Sequence, residues 1–168
     1  AKVKANSSLE KSLGNLLGNL SKELQSLIKA SAFRKFEWDP ANISWINNEV
    51  KLFKGFKKKI ILNNLKEHKI FVSKNMKNLR FSLTHGDANN YNLVVNNNKI
   101  SGLLDYGDMV YAPTINDLAV SLSYALMNKD DIYTTLKDII NSYNKIFQIT
   151  YDEIFSLFSL VKARLTIT

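Results

Sequence analysis

The apolar residues of this chain recur mostly three and four positions apart, which is the spacing of amphipathic helices. A leucine-rich run predicts the first helix over residues 7–29. Asp39-Pro40 has the order of a helix cap followed by a first-turn proline, and predicts a short helix over residues 41–46. Further helices are predicted over 49–68, 69–78, 114–127, 130–147 and, after the capping-box pair Thr150 and Glu153, from 150 to the end.

Strands are predicted in the middle of the chain only. Residues 81–84 form a short strand that leads into a turn at His85. Residues 93–95 and 99–100 flank the run Asn96-Asn97-Asn98, a pattern typical of a strand, a tight turn and a second strand. We therefore expect a mainly α protein with a small β-hairpin, an α+β fold.

Two glycines, Gly14 and Gly18, lie four residues apart in the first predicted helix. They leave a smooth patch on which another element could approach closely. The alternative is that they are tolerated helix glycines, each costing about 1 kcal/mol.

Length and composition indicate one compact domain with a hydrophobic core, because the chain has 168 residues of which 45% are hydrophobic. It contains no cysteine, which excludes disulfides and thiolate metal sites, and its two histidines cannot build a His-rich zinc site. No stretch approaches the ~18 apolar residues of a membrane span. The N-terminus lacks the apolar run of a signal peptide. We expect no membrane partner and take the cytoplasm as the default compartment.

The formal net charge of +8 leaves several kinds of partner open. Six lysines cluster in one segment with six apolar residues, a mixture that predicts an amphipathic stretch with lysines outside and apolar groups inside. The lysines are Lys51, Lys54, Lys57, Lys58, Lys59 and Lys66, and the apolar residues are Leu52, Phe53, Phe56, Ile60, Ile61 and Leu65. The cluster is either a solvated face or a surface that attracts an anionic partner.

Oxygen-bearing side chains lie at both ends of the predicted hairpin. Asn92 enters the first strand and Asp105 leaves the second, so both are expected to face one point, with Asp87 beside them. Three such side chains suit a hard cation and a phosphate. Phosphoryl transfer needs a carboxylate near the acceptor hydroxyl, a role that suits Asp87, and Mg²⁺ bridging the phosphates, which suits Asn92 and Asp105. The pattern thus indicates the catalytic core of a phosphoryl-transfer enzyme.

Each of these residues also has a structural interpretation. Asp87 could be a turn residue, Asn92 could cap the hairpin and Asp105 could simply end a strand. Neighbouring polar residues are equally open. Asp108 could lie near the metal or substrate or cap its loop, Asn89 and Asn90 could touch substrate or suit the loop, and Asp117 could pair with Thr114 in a capping-box-like pattern.

Four motifs together resemble one enzyme family. They are His85-Gly86-Asp87, the asparagine at position 92, Asp105-Tyr106-Gly107-Asp108 and Asn116-Asp117-Leu118-Ala119. The set is similar to that of the aminoglycoside phosphotransferase and choline kinase group, a small-molecule branch of the protein-kinase-like fold. Residues 102–111 most resemble hydroxylysine-kinase-like phosphotransferases, which also occur fused to class III aminotransferases. Through residues 13–18 and Trp38-Asp39 the similarity covers nearly the entire chain.

The resemblance implies a role for each matching residue. Asp87 would be the catalytic base or the residue that orients the hydroxyl, and Asn92 and Asp105 would hold Mg²⁺, with ATP or GTP as co-substrate. His85 would hold the loop by hydrogen bonds, and Asp117 would brace it from the following helix. The departures, Gly86 for an arginine, Tyr106 for a phenylalanine and the small Ala88, remove no ligand.

Kinases of this type also carry an N-terminal lobe with a phosphate-covering loop and a lysine on a strand. No Gly-rich loop and no strand-borne lysine precede the first helix of this chain. We therefore expect residues 1–168 to form the C-terminal lobe, which bears the catalytic loop. The absent nucleotide lobe is an expected partner of this lobe. Alone, this lobe is expected to bind nucleotide weakly and to have little or no kinase activity.

The implied function is transfer of the γ-phosphoryl group of ATP or GTP to a hydroxyl of a small, amine-bearing molecule, such as an aminoglycoside, a hydroxylated amino acid or an amino alcohol. Two alternatives stay open. A degenerate kinase-like lobe could serve binding or regulation, although the intact set of Asp87, Asn92 and Asp105 argues against it. A basic nucleic-acid-binding helical domain would suit the charge, but the chain has no recognisable reader motif.

Overall fold

The computed structural model describes residues 7–27 and 30–168, and the elements named here belong to that part of the chain. The helices are α1 (Ser7–Leu24), α2 (Ile46–Glu49), α3 (Gly55–His68), α4 (Asn116–Ala125), α5 (Ile132–Ile146) and α6 (Tyr151–Ile167). The strands are β1 (Phe81–Thr84), β2 (Leu93–Asn96), β3 (Lys99–Leu103) and β4 (Val110–Pro113). The expected mainly α fold with a small hairpin is confirmed.

The hairpin forms where the sequence predicts it. Antiparallel β2 and β3 pair Leu93 with Leu103 and Asn96 with Lys99. The turn between them places Asn97 and Asn98 at φ +48° and +58°. Two successive left-handed residues match the right-handed twist of the flanking strands, and asparagine tolerates this conformation better than most residues. The hairpin therefore brings Leu104, which follows β3, back beside Asn92, which precedes β2.

A second strand pair was not predicted. β4 pairs antiparallel with β1, and Phe81 lies opposite Pro113 while Thr84 lies opposite Val110. The pairing joins segments on either side of the hairpin. It brings the turn after β1 next to the loop before β4, and these two connections carry most of the candidate site residues.

Close helix packing explains the two glycines of α1. A Cβ at Gly14 would collide with the carbonyl oxygen of Ile139, and one at Gly18 would lie 3.0 Å from the Cβ of Ile146. Both contacts are with α5, so the predicted close approach of another element is confirmed. The main core also includes Leu17, Leu118 and Leu157 from three different helices. Helix α4 lies at its centre and is buried on nearly all sides.

Several predicted helix limits were wrong. Helix α1 ends at Leu24, because the chain turns with a Leu27-to-Leu24 backbone hydrogen bond; the last two residues of the predicted helix lie outside the described residues. The predicted helix over residues 41–46 does not form. The side chain of Asp39 accepts a hydrogen bond from the Ala41 N–H, but turns follow, and α2 begins only at Ile46.

The predicted long helix over residues 49–68 is broken. Residues Val50–Leu52 form a 3₁₀ turn, Phe53 is extended and Gly55 has φ +58°, a conformation that interrupts a right-handed helix. The expected burial of the apolar residues in this segment is also wrong for four of them. Two precede α3, and α3 itself packs on the rest of the molecule through Ile61 and Leu65. The four exposed residues are Leu52, Phe53, Phe56 and Ile60.

The remaining helices are close to expectation. Residues 69–78 contain a π-helical turn, Lys69–Ser73, and a 3₁₀ turn, Met76–Asn78. Helices α4 and α5 are a few residues shorter than predicted. Thr150 and Glu153 form the predicted capping box at the start of α6. In the described ranges, no helix has the length and apolarity that crossing a membrane requires.

Candidate active site

Asp87 lies in the turn after β1 with its carboxylate held from two sides. Its Oδ2 accepts a hydrogen bond from Asn89 Nδ2 at 2.7 Å, and its Oδ1 lies 2.5 Å from Arg164 Nη2. The Asn92 amide donates to the Asp87 backbone carbonyl at 2.9 Å. The Asp87 side chain keeps 21% of its surface exposed. The carboxylate is thus fixed in direction yet open to a ligand.

Asp117, at the start of α4, holds the turn that carries Asp87. Its two carboxylate oxygens accept hydrogen bonds from the backbone N–H groups of His85, at 2.9 Å, and Gly86, at 3.0 Å. The alternative capping pair does not form, because α4 has no side-chain cap and the Thr114 hydroxyl donates to Ser82 Oγ. Burial raises the pKa of Asp117 above its ordinary value, and the two N–H donors oppose part of that rise.

Gly86 is required at its position for two reasons. Its φ is +83°, in the left-handed region, and a Cβ there would lie 2.5 Å from the carbonyl oxygen of Asp108. At Gly86 the turn after β1 therefore packs directly on the backbone of the loop before β4. A larger residue would push the two connections apart.

The buried imidazole of His85 joins the same two connections. Its Nδ1 accepts a hydrogen bond from the Asp87 backbone N–H at 3.3 Å, so the ring proton is on Nε2. Nε2 in turn donates to the Leu104 carbonyl at 2.9 Å. This geometry makes His85 a brace between Asp87 and the residue that precedes Asp105.

Asn92 and Asp105 come together at the open end of the hairpin. The backbone carbonyl of Asn92 accepts a hydrogen bond from the Leu104 N–H at 2.8 Å, which fixes the spacing of the two chain segments. The side-chain amide of Asn92 donates to Asp87, and its Oδ1 accepts no hydrogen bond from the described residues. Asp105 has φ +63°, and its exposed carboxylate likewise has no hydrogen bond or ion pair within the described ranges.

These two side chains fit a hard divalent cation. One carboxylate and one amide oxygen, both free of other donors, are ligands that Mg²⁺ accepts while it fills the rest of its shell with water and phosphate oxygens. In the described part of the chain no group of three or more acidic or histidine side chains could hold a metal ion. A cation at Asn92 and Asp105 would therefore take its further ligands from water and phosphate oxygens.

The remaining predicted site residues are placed differently. Asn89 is buried and holds Asp87 and the Tyr91 N–H, so its side chain builds the loop. Asn90 is exposed and makes no side-chain hydrogen bond to the described residues. Asp108 lies 3.6 Å from Arg34 Nη2 in an ion pair. Arg34 also donates to the Gly107 carbonyl, so this pair belongs to the loop before β4.

Sequence reasoning missed Arg164, which contacts Asp87 directly. It lies near the end of α6, in a stretch whose pattern indicates only an apolar helix. The separation from Asp87 is 77 residues, so no local signal links the two. A basic residue among Leu160, Val161, Ala163 and Ile167 was the one available hint, because a charge on the buried side of a helix requires a partner.

A cavity of about 910 Å³ lies beside this network and includes none of Asp87, Asn92 and Asp105. It runs between residues 39–47, α3 and the β1–β4 pair. Asp39 lines it and accepts a hydrogen bond from Asn116, the neighbour of Asp117. Burial raises the pKa of Asp39, while hydrogen bonds from Ala41 and Asn116 lower it.

Residues 7–142 match the profile of the phosphotransferase enzyme family, abbreviated APH. The chain belongs to this family. Hydroxylysine kinase of Xenopus laevis is 25% identical over 180 residues, covering 98% of this chain and 48% of the relative. Hydroxylysine kinase of Mus musculus is 25% identical over 166 residues, covering 90% of this chain and 44% of the relative. The chain thus spans about half the length of these curated relatives.

Solved structures of kinases share the fold. Amicoumacin kinase hAmiN, determined in complex with AMP-PNP, Ca²⁺ and Ami, superposes with a TM-score of 0.67 at 16% identity, over 96% of this chain and 50% of that one. Aminoglycoside phosphotransferase APH(3'')-Id from Streptomyces rimosus superposes with a TM-score of 0.61 at 15% identity. The match covers 97% of this chain and 64% of that one. The expected family and the kinase-like fold class are both confirmed.

Proposed function

We propose that this chain is the catalytic-loop lobe of a small-molecule kinase, which transfers the γ-phosphoryl group of ATP or GTP to a hydroxyl group. The observation that carries the proposal is the convergence of Asp87, Asn92 and Asp105 around one hairpin, in a member of a phosphotransferase family. Asp87 orients the acceptor hydroxyl. Asn92 and Asp105 would hold Mg²⁺, which would neutralise charge on the phosphates.

The acceptor we propose is a small hydroxylated molecule that carries an amine. The hydroxylysine kinases and the aminoglycoside phosphotransferase among the similar proteins support this class by their names. It includes aminoglycosides, hydroxylated amino acids and amino alcohols. The acceptor hydroxyl would approach the exposed part of the Asp87 carboxylate, since Arg164 and Asn89 cover the rest.

The residues of the chain align the reaction more than they take part in covalent chemistry. Asp87 accepts a hydrogen bond from the acceptor hydroxyl and can take its proton as the oxygen bonds to the γ-phosphorus. The bond from that phosphorus to the β–γ bridging oxygen breaks, and ADP or GDP leaves. His85 and Asp117 keep the turn at a fixed distance from Asp105. Such positioning can supply several powers of ten in rate, because reacting atoms are held close before the transition state forms.

We also propose that residues 1–168 act together with a nucleotide lobe and that the reaction takes place in the cytoplasm. The coverage of about half of each curated relative supports the presence of further structure in the working enzyme. With that lobe absent, nucleotide binding by this chain is expected to be weak and turnover small.

The test is phosphoryl transfer by the full-length protein. It would be incubated with Mg²⁺, ATP or GTP, and a panel of aminoglycosides, hydroxylated amino acids and amino alcohols, and phosphorylated products would be measured by mass spectrometry. We expect a product with at least one acceptor, abolished by Asp87→Asn. Asp130→Asn is the matched control, because Asp130 is exposed and lies outside the site. Nucleotide binding with no product from any acceptor would favour a regulatory kinase-like module instead.

A further inference from the structure

The ion pair between Arg164 and Asp87 is not accounted for by the packing of α6. The Arg164 side chain keeps only 4% of its surface exposed, whereas Asp87 keeps 21%. Besides the 2.5 Å contact with Asp87 Oδ1, Arg164 donates from Nη1 to the Trp38 carbonyl at 3.0 Å. Its guanidinium also lies 5.5 Å from the Trp38 ring centre and 5.6 Å from that of Tyr124. Two other parts of the chain, at Trp38 and Tyr124, thus hold it against Asp87.

The pair is also poorly arranged for stability alone. Nε of Arg164 is buried and has no hydrogen-bond partner among the described residues. A buried charge with an unsatisfied donor recovers only part of its desolvation penalty, and an apolar residue of similar size is often at least as stable. A buried arginine at this position therefore needs an explanation beyond helix packing, and its partner Asp87 supplies one.

We propose that Arg164 is a positioning residue for Asp87. The inference rests on the proposed kinase function. Arg164 holds Oδ1 while Asn89 holds Oδ2, so the carboxylate cannot rotate and one direction remains for the acceptor hydroxyl. The Asn92 amide adds a longer contact to Oδ2, at 3.4 Å. An ionised carboxylate can accept about four hydrogen bonds, so these three donors leave capacity for the hydroxyl. Arg164 itself is too buried to contact the acceptor and acts through Asp87.

Stability measurements test the pairing without requiring activity. Asp87→Ala leaves the buried guanidinium unpaired and is expected to lower the melting temperature clearly. Arg164→Met fills the space with an apolar chain, while the partly exposed Asp87 can be hydrated. We expect the double variant to melt above Asp87→Ala, since the second change removes the unpaired charge. If the double variant loses as much melting temperature as the two single variants together, the inference is overturned.

Kinetic measurements on the full-length protein test the positioning. Arg164→Met is expected to lower kcat about 100-fold with little change in the KM for nucleotide, because Asn92 and Asp105 are untouched. The kcat of Arg164→Lys is expected to lie between those of Arg164→Met and the wild type, since lysine can reach one partner only. Lys162→Met is the matched control, because Lys162 lies on the same helix and pairs with Glu67 outside the site.

The possible outcomes separate the two proposals. An unchanged kcat in Arg164→Met, or equal changes in Arg164→Met and Lys162→Met, overturns the positioning role. A wild-type protein without phosphoryl transfer to any acceptor contradicts the proposed function. In that case the melting temperatures still decide whether Arg164 holds Asp87, with a recovery in the double variant supporting it and additive losses overturning it.

Discussion

His85 donates a hydrogen bond from Nε2 to the Leu104 carbonyl at 2.9 Å, across 19 residues of sequence. Through this bond and its Nδ1 contact with the Asp87 N–H, one imidazole sets the distance between Asp87 and Asp105. The proposed orienting carboxylate and the proposed metal ligand therefore share one buried support.

His85 is predicted to be necessary for fast phosphoryl transfer. His85→Ala is expected to lower kcat about 100-fold, because a displacement of about 1 Å between reacting groups has an effect of that size. The matched control is His68→Ala. His68 is the other buried histidine and bonds to the Pro40 carbonyl, away from Asp87. Steady-state kinetics of both variants in the full-length protein check the prediction, and equal kcat values would contradict it.

Gly86 is predicted to be less replaceable than Gly55. Both have positive φ, so alanine costs about 1–2 kcal/mol of strain at either position. Open space surrounds a Cβ at Gly55, whereas one at Gly86 meets the Asp108 carbonyl oxygen at 2.5 Å. We expect Gly86→Ala to lose a further 1–3 kcal/mol or so from this overlap. Urea unfolding of the two variants measures the difference, and equal losses would show that the backbone contact is unimportant.

Asp117 is predicted to be essential for the stability of the turn after β1. Asp117→Ala leaves the His85 and Gly86 N–H groups buried without their acceptor, and should cost about 2–5 kcal/mol. Asp117→Asn should lose less, since its single oxygen can still accept one of the two bonds. Denaturant unfolding provides the comparison. A small loss in Asp117→Ala would mean that the carboxylate is not the main support of this turn.

His68 is predicted to make the protein less stable in mild acid. Burial lowers the pKa of His68 below its ordinary value of 6.5, although its bond to the Pro40 carbonyl opposes this. The unfolded chain therefore binds the proton more readily, and the free energy of unfolding should fall as pH decreases from 6.5 through the lowered pKa. In His68→Gln this part of the pH dependence should be absent. Unfolding curves of both proteins between pH 4 and 7 test the prediction. The same pH dependence of the free energy of unfolding in both proteins would contradict it.

Local features of the fold were predictable from the sequence. The capping box of Thr150 and Glu153 lies within four residues, and the Asn97-Asn98 turn is encoded by residues that tolerate positive φ. The close approach at Gly14 was foreseeable because few other residues leave room for a neighbouring backbone. In each case the deciding interaction involves residues close in sequence or the size of one side chain.

Non-local features were not predictable in the same way. Strand β4 is stabilised by its register with β1, which the hairpin separates from it, and its own residues give little signal. Arg164 resembles any basic residue near a helix end until the fold brings it to Asp87. The break before α3 depends on Gly55, whose positive φ a helical apolar pattern does not reveal. The candidate site was therefore predicted as a set of reacting groups without the arginine that holds one of them.

In the proposed enzyme, Asn92 and Asp105 form a metal-dependent nucleotide site, and phosphoryl transfer depends on it. The most direct test is calorimetric titration of the full-length protein with ATP and GTP, with and without Mg²⁺, comparing the wild type with Asp105→Ala. We predict binding that requires Mg²⁺ and is lost in the variant, because Asp105 provides the one carboxylate that we assign to the metal. Binding of equal strength without Mg²⁺, or binding that survives the loss of Asp105, would contradict the account.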